Sequence, residues 1–327
     1  MNASVALAPG SGRLSRGQRP HRTPRASAIG LASRSMLNRN ADAIDGFCHI
    51  LGAALGHLTA NIAPTLGGDP EGLHQMRIAL RTARATLRLF APLFDASMVA
   101  SFDFELQSAC RAFGNARDWD VFCLETLPAA TRALPAARLT DLDPFAQIAR
   151  AASHRAIEDR IRGPEFAAVL RTLADWAQPG SGNTSRPTIA RVGKSLSDLA
   201  PHLLGRVARK TIKRGRHVTR LSPEDLHRFR KALDRLCDDS IALGALFPDR
   251  RVAAYRARCV ALQGALGAAN DAVVAQALGL SLLLETRPEL AAPVEALLGW
   301  SRAHRTAALV GLRQAKRDFR WTEPFWS

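Results

Sequence analysis

Two segments of this chain repeat each other so closely that they restrict the folds available to it. DPEGLHQMRIAL (Asp69–Leu80) and SPEDLHRFRKAL (Ser222–Leu233) are identical at seven of twelve positions and lie 153 residues apart. The same offset pairs Phe94 with Phe247, Gly114 with Gly267, Asp118 with Asp271 and Val121 with Val274. A register kept over this length indicates an internal duplication. The sequence therefore predicts two similar halves with pseudo-two-fold symmetry.

The pattern within these halves is helical. Apolar residues recur at intervals of three and four from about residue 41 onward, and the alternation typical of strands is missing. Asp69 and Ser222 each precede a proline and a long amphipathic run, which is the usual beginning of a capped helix. We therefore predict an all-α protein, a pseudo-two-fold helical bundle made of two similar halves of roughly four helices each. The halves are placed at about 41–180 and 187–327.

Two glycines are candidate helix ends. Gly114 and Gly267 each precede an aspartate, Asp118 or Asp271, by four residues. Glycine often ends a helix and aspartate often begins one. We therefore expect a helix boundary at each of these two places.

The chain is strongly basic. It has 45 Lys and Arg residues against 29 Asp and Glu, a formal net charge of +16. Residues 1–40 contain seven arginines and no acidic residue, and they lack apolar periodicity, so we predict a disordered basic tail before a helical domain over 41–327. The helical domain is basic without the tail. Such a charge favours polyanionic partners: nucleic acid, an anionic membrane surface or polyphosphate.

Cysteine usage and hydropathy restrict the location of the protein. The five cysteines are scattered and none forms a C-x-x-C pair, so we expect neither a disulfide framework nor a zinc site. This cysteine usage favours a reducing, cytoplasmic location. No apolar run approaches the roughly 18 residues that a membrane-spanning helix needs. No secretory signal is evident either. We expect no membrane insertion.

The first repeated helix carries a cationic stripe beside its apolar stripe. The basic positions follow the apolar ones by one residue, which is about 100° around a helix. They are His74, Arg77, Arg81, Arg84 and Arg88. An ordinary solvated face would have acidic residues four positions away, but there are none between Glu71 and Phe90. Aligned positive charges repel one another, so we predict that an anion binds along this stripe.

Further basic residues lie on two later segments. Leu203 to His217 contains Arg206, Arg209, Lys210, Lys213, Arg214 and His217, and the second repeated helix contains His227, Arg230, Lys231 and Arg235. Basic residues on several helices can line one groove for a linear polyanion. In the second copy Asp234 stands at the position of Arg81 and can pair with a neighbouring cation, and Cys237 replaces Arg84. We expect the second half to bind more weakly.

His74 and His227 are the first places to look for catalysis. Neither belongs to an H-x-x-x-H or H-E-x-x-H arrangement, and no neighbouring carboxylate pair offers a magnesium site. We therefore expect no metal, no cofactor and no enzymatic activity. Two alternatives remain open: an accessory or metal-dependent phosphate enzyme, and a nucleic-acid-binding helical protein. The second is weakened because no aromatic residue interleaves the arginines to stack on bases.

Four short motifs, two in each copy, are shared with a known family. They are H-x-x-R-x-x-x-R-x-x-R from His74, G-x-A-R-D-x-D-V from Gly114, L-H-x-x-R from Leu226 and L-G-x-x-N-D-x-x-V from Leu266. With these motifs in this order the sequence resembles the CHAD family of histidine-containing α-helical domains, over about 41–327. The resemblance implies a bundle of two similar halves that binds inorganic polyphosphate through basic residues, often at polyphosphate granules. We therefore expect non-catalytic polyphosphate binding in a basic groove.

Overall fold

All regular secondary structure in the computed structural model, which describes residues 42–178, 195–283, 287–320 and 322–327, is helical. The helices in these ranges are α1 Ala43–Ala60, α2 Ile62–Leu66, α3 Pro70–Phe90, α4 Ala96–Val121, α5 Leu127–Ala133, α6 Asp143–Arg162, α7 Pro164–Ala177, α8 Leu196–Arg214, α9 Pro223–Ala242, α10 Asp249–Ser281 and α11 Ala291–Arg320. The predicted all-α fold is confirmed. The predicted basic tail over 1–40 and the predicted division between the halves near residues 180–187 lie outside the described residues.

Helix boundaries follow the repeat in the sequence. Helices α8, α9 and α10 each begin 153 residues after α1, α3 and α4 respectively. Asp42 and Ser195, which cap α1 and α8, are also 153 residues apart, and they pair through a single antiparallel β-bridge. A two-fold axis brings equivalent residues together in this way. The pseudo-two-fold relation between the complete halves remains a prediction.

The residues predicted to cap the two repeated helices do so. The Asp69 carboxylate accepts a hydrogen bond from the backbone N–H of Glu71 at 2.9 Å. The Ser222 hydroxyl accepts one from the backbone N–H of Asp225 at 3.1 Å. Each cap satisfies a donor that the first helical turn cannot pair internally and contributes about 1 kcal/mol. The beginnings of α3 and α9 are therefore fixed by local sequence.

The helix boundaries predicted at Gly114 and Gly267 are wrong. Gly114 and Asp118 both lie within α4, and Gly267 and Asp271 both lie within α10. An internal glycine costs a helix only about 1 kcal/mol. Residues on either side of Gly114 bury their side chains in the core, Phe113 among them. That burial outweighs the cost, and the helix continues through the glycine.

The core places the two repeated helices side by side. Helix α3 packs against α1, α4 and α9, and α9 also packs against α8 and α10. One apolar cluster contains residues from both copies, including Phe47, Phe90 and Phe113 from the first and Phe229 and Leu233 from the second. Because the apolar stripes of α3 and α9 turn into this core, the basic residues beside those stripes come to lie at the edge of the α3–α9 contact.

The hydropathy of the helices and the burial of the cysteines bear on the predictions made from sequence. Among the described residues, no helix combines the length and the apolar character needed to cross a bilayer. None of the five cysteines is in a disulfide, and all except the half-buried Cys110 are buried. They pack as small apolar side chains.

Candidate anion-binding groove

Helices α3, α4 and α9 enclose a groove of about 430 Å³. Among the described residues, its basic lining consists of Arg77, Arg81, Arg84 and Arg88 from α3, Arg111 from α4, and His227, Lys231 and Arg235 from α9. Three carboxylates also line it: Asp118, Asp234 and Asp238. The groove therefore collects the four arginines of the first copy's cationic stripe and part of the basic set of the second copy, as the sequence predicted. Seven Arg and Lys side chains outnumber the carboxylates.

Arg81 reaches from α3 to a buried carboxylate on α9. Its Nε donates to Asp238 Oδ2 at 2.7 Å and its Nη2 donates to Oδ1 at 3.2 Å. The Asp238 side chain is only 6% exposed. Burial raises its pKa, although Arg81 acts in the opposite direction, and Asp238 in turn raises the pKa of Arg81. The pair fixes the guanidinium and leaves the Nη1 donors for another acceptor.

Arg84 and Arg88 share one carboxylate, that of Asp103 on α4. Arg84 donates from Nε at 2.9 Å and from Nη2 at 3.3 Å, and Arg88 hydrogen-bonds to the same two oxygens. Burial acts to raise the pKa of Asp103, but the hydrogen bonds from Arg88 and Arg84 outweigh it, and the pKa is lowered. One negative charge therefore orients two guanidinium groups along the groove wall.

These ion pairs correct the sequence argument about the stripe. The stripe was expected to lack acidic partners because none lies nearby on the same helix. Its partners, Asp103 and Asp238, come instead from α4 and α9. Three arginines of the stripe, Arg81, Arg84 and Arg88, are therefore partly neutralised and oriented.

Three other groove cations have no such partner. Arg77, Arg111 and Lys231 make no ion pair within 4 Å among the described residues. The pKa of Arg77 is lowered by desolvation and then by Arg81, and the pKa of Lys231 by desolvation and then by Arg84 and Arg111. The positive charges of Arg77 and Lys231 are partly removed from water, and each lies close to other cations. An anion in the groove would relieve both effects.

The second copy contributes to the groove in spite of its acid. Asp234 Oδ1 accepts a hydrogen bond from Gln263 Nε2 at 2.8 Å and forms no ion pair with Arg230 or Lys231 in the described chain. The expectation that Asp234 can pair with a neighbouring cation is not met, because Gln263 on α10 occupies its carboxylate. The weaker binding of the second half remains a prediction.

Arg235 is held by its own helix. Its Nε lies 3.5 Å from Asp239 Oδ2, one turn further along α9. Asp239 is fully buried, and burial raises its pKa to about 8, although Arg235 acts to lower it.

Helix α8 extends the basic surface past one end of the groove. Arg206 Nη2 donates to the backbone carbonyl of Leu89 in α3 at 3.2 Å. The pKa of Lys210 is lowered by desolvation and by neighbouring cations that include Arg235 and Arg88. Arg206 and Lys210 therefore lie next to the groove without lining it. Arg230, on α9, also acts on the pKa of Arg77 from just outside the lining.

Four other predicted residues lie away from the groove: Arg209, Lys213, Arg214 and His217. Arg214 Nη1 donates to the backbone carbonyl of Arg228 at 3.4 Å. His217 lies in a different basic cleft, beside α11. The spacing of three and four had suggested a single face, but α8 ends at Arg214, so helical spacing no longer applies at His217.

The two histidines have different positions. His74 does not line the groove, and its buried Nδ1 has no hydrogen-bond partner among the described residues. Its pKa is lowered to about 4, first by desolvation and then by Arg117. His74 is therefore neutral near pH 7, and the cationic stripe begins at Arg77. His227 does line the groove, and its pKa is also lowered, chiefly by desolvation.

One wall of the groove was missed by the sequence argument. Gln107, Arg111 and Asn115 line it from α4. These residues recur every four positions, so the signal for a polar helix face was present. A helix end at Gly114, as predicted from the sequence, separates Asn115 from Gln107 and Arg111 and hides that face.

The acidic side chains of the groove lie among basic ones. No group of three or more His, Cys, Asp or Glu side chains in the described ranges is arranged to hold a metal ion. Among the lining carboxylates, Asp118 has the largest effect on the pKa of Arg77, and desolvation raises the pKa of Asp118 while Arg77 acts to lower it. The arrangement suits the chemistry of an extended anion.

The chain was compared with protein families and with solved structures, and both comparisons found similar proteins. The CHAD domain family model matches residues 49–280, which include α3, α4 and α9. The structure is similar to the crystal structure of the CHAD domain from the plant Ricinus communis, with 25% sequence identity and a TM-score of 0.76 over 88% of this chain and 94% of that chain. It is also similar to PptA from Streptomyces chartreusis, with 18% identity and a TM-score of 0.67 over 85% of this chain and 100% of that chain. No match was found among curated proteins. The chain belongs to the CHAD family, whose domains are known as a polyphosphate-binding type.

Proposed function

We propose that this protein binds inorganic polyphosphate in the groove between α3, α4 and α9 and catalyses no reaction. The observation that carries the proposal is the excess of oriented cations, seven Arg and Lys side chains against three carboxylates in the described lining. A cleft lined by one sign of charge concentrates a ligand of the opposite sign. Polyphosphate is a linear chain of such charges, and family membership supports it as the ligand.

The cations divide into two working groups. Arg77, Arg111 and Lys231 form no ion pair within the described ranges and take phosphate oxygens directly. Arg81 and its neighbours on α3 are already held by Asp103 and Asp238, so they lose little side-chain freedom on binding. They offer phosphate the N–H donors that face away from those carboxylates.

The absence of turnover is part of the proposal. A phosphate-cleaving site needs a base or a metal that can activate water. Two of the three groove carboxylates are already engaged, Asp238 with Arg81 and Asp234 with Gln263. We expect no phosphate release from polyphosphate or nucleoside triphosphates with magnesium or manganese.

Nucleic acid is the competing ligand. Single-strand binding commonly adds aromatic side chains on which bases stack. The described lining contains no Phe, Tyr or Trp. The groove therefore provides contacts for phosphate without a platform for bases, which favours polyphosphate.

Calorimetric titration tests the proposal. Long-chain polyphosphate should bind saturably to the full chain, whereas orthophosphate at the same phosphate concentration should bind far more weakly. A colorimetric phosphate assay on the same samples should show no release above a buffer control. Absence of polyphosphate binding would refute the proposed ligand, and release above the control would refute the non-catalytic assignment. Association with polyphosphate granules in the cytoplasm follows from the same proposal and is tested by imaging a tagged chain.

A further inference from the structure

A second basic cleft lies between α11 and the turn that connects α8 to α9. Its volume is about 470 Å³. Among the described residues it is lined by Arg216, His217, Val218 and Arg220 from the turn and by Arg313, Lys316 and Arg317 from α11. It shares no lining residue with the groove, and its lining contains no carboxylate. The cleft is therefore a separate concentration of positive charge.

No ion pair in the part of the chain that the structure describes neutralises this charge. Lys316 Nζ donates to the backbone carbonyl of Arg216 at 2.7 Å, and Arg317 hydrogen-bonds to the uncharged Gln314. Within the described ranges none of the five Arg and Lys side chains of the cleft forms an ion pair. The contrast with the groove is clear, because there Asp103 and Asp238 pair with three arginines.

The acidic side chain next to Arg317 in the sequence has other partners. Asp318, the acid that follows the basic run of α11, accepts a hydrogen bond from Gln314 at 2.8 Å and lies 3.8 Å from Arg258. Beyond the described residues the sequence holds one further acid, Glu285. Five like charges with so few acids available cost free energy that a bound anion recovers.

An apolar crevice adjoins the basic cleft. It has a volume of about 360 Å³ and is lined by Ile212, Gly215, Phe229 and Phe319. Arg216 and Lys316 line both spaces, and Arg320 lines the crevice as well, so the two spaces lie side by side. A ligand that carries phosphates can thus place them on the cations and place an attached apolar ring in the crevice.

We propose that this cleft is a second, independent binding site for an oligophosphate group, a short run of linked phosphates. The group has two sources: a short inorganic polyphosphate, or the phosphate tail of a nucleotide whose base occupies the apolar crevice. The site stands apart from the groove, because the two sets of cations are distinct.

Three variants of the full chain separate the two sites. The cleft variant is Arg220→Gln, Arg313→Gln and Arg317→Gln, all at exposed positions. The groove variant is Arg77→Gln, Arg111→Gln and Lys231→Gln. A matched control carries the same charge change at exposed arginines that line neither site, Arg132→Gln, Arg155→Gln and Arg171→Gln. Circular dichroism and thermal midpoints verify that each variant is folded.

Calorimetric titration with tripolyphosphate is the test. The groove variant should keep one tripolyphosphate site, and adding the cleft substitutions to it should weaken that site by about tenfold or more, as expected for lost charge-assisted hydrogen bonds. The control substitutions added to the groove variant should have little effect. If the groove variant retains no site, or the cleft and control substitutions weaken it equally, the second site is refuted. Failure of the groove proposal would appear separately, as wild-type binding of long-chain polyphosphate by the groove variant.

ATP distinguishes the two sources. If the ligand is a nucleotide, ATP should displace tripolyphosphate from the groove variant and bind more tightly than it, and Ile212→Asp should weaken ATP alone. If the ligand is inorganic, the two should bind equally and Ile212→Asp should affect both alike. Either result supports the oligophosphate site, and failure of both probes to bind the groove variant overturns it.

Discussion

The cations that lack ion pairs offer the cleanest perturbation of the groove. Charge removal at Arg81 would leave the buried Asp238 without a partner and would mix a loss of stability with a loss of binding. Arg77, Arg111 and Lys231 form no ion pair within 4 Å among the described residues, so their removal breaks none, although Arg77 also acts on the half-buried Asp118. The groove variant, with glutamine at these three positions, should therefore remain folded while it loses polyphosphate affinity.

The size of the effect follows from the number of contacts. If all seven Arg and Lys side chains of the groove contact phosphate, the slope of log K against log salt is about −5, taking about −0.7 per contact as for a single-stranded polyanion. Removing three contacts leaves a slope of about −3. At fixed salt, about 1 kcal/mol per lost contact amounts to a loss of affinity on the order of 10².

The assay is a polyphosphate titration repeated over a series of salt concentrations, with wild type, groove variant and matched control. The control loses the same charge at Arg132, Arg155 and Arg171, outside the groove. It should keep the wild-type slope, because distant exposed charges are screened by salt. The reasoning is refuted if the groove variant keeps the wild-type slope, or if both variants flatten it equally.

Three further predictions test individual features. Asp234→Asn removes a negative charge from the groove and should tighten polyphosphate binding several-fold in the same titration; weaker binding would contradict its assignment as a repelling charge. Arg81→Ala should lower the free energy of unfolding by about 3–5 kcal/mol, because Asp238 is left buried and unpaired. Arg77→Ala should lower it by only about 1 kcal/mol. Equal losses of the two variants in urea unfolding would contradict this difference. Desolvation lowers the pKa of His74 from 6.5 to about 4, so the unfolded chain takes up a proton first and stability should fall as pH drops from 6.5 to about 4. His74→Gln should flatten part of that fall in thermal midpoints, and an unchanged pH profile would show that His74 does not cause it.

The features predicted correctly from sequence depend on local signals. The beginnings of α3 and α9 follow from Asp69 and Ser222, which cap the turn directly after them. The shared groove follows from the duplication, because two copies of one helix with the same polar and apolar stripes bury the same face. The cap residues and the stripes are each visible within one helix, and the duplication is visible when the two segments are compared.

The features that were missed depend on contacts between helices. Spacing along α3 cannot show that Asp103 and Asp238 approach it from α4 and α9. Propensity alone suggests a break at Gly114, but burial of the flanking residues carries the helix through it and completes a wall with Arg111. The spacing of the basic run after Leu203 predicts a single helix face. Helix α8 ends at Arg214, however, and the last residues of the run, His217 among them, lie in a different cleft.

Competition between polyanions tests the central claim most directly. Labelled long-chain polyphosphate is bound to the full chain and displaced by unlabelled polyphosphate, single-stranded DNA or RNA at matched phosphate concentration and salt. Because the groove supplies cations without aromatic platforms in its described lining, polyphosphate should displace the label at concentrations about tenfold or more below those of either nucleic acid. Displacement by DNA or RNA at equal or lower concentrations would contradict the account.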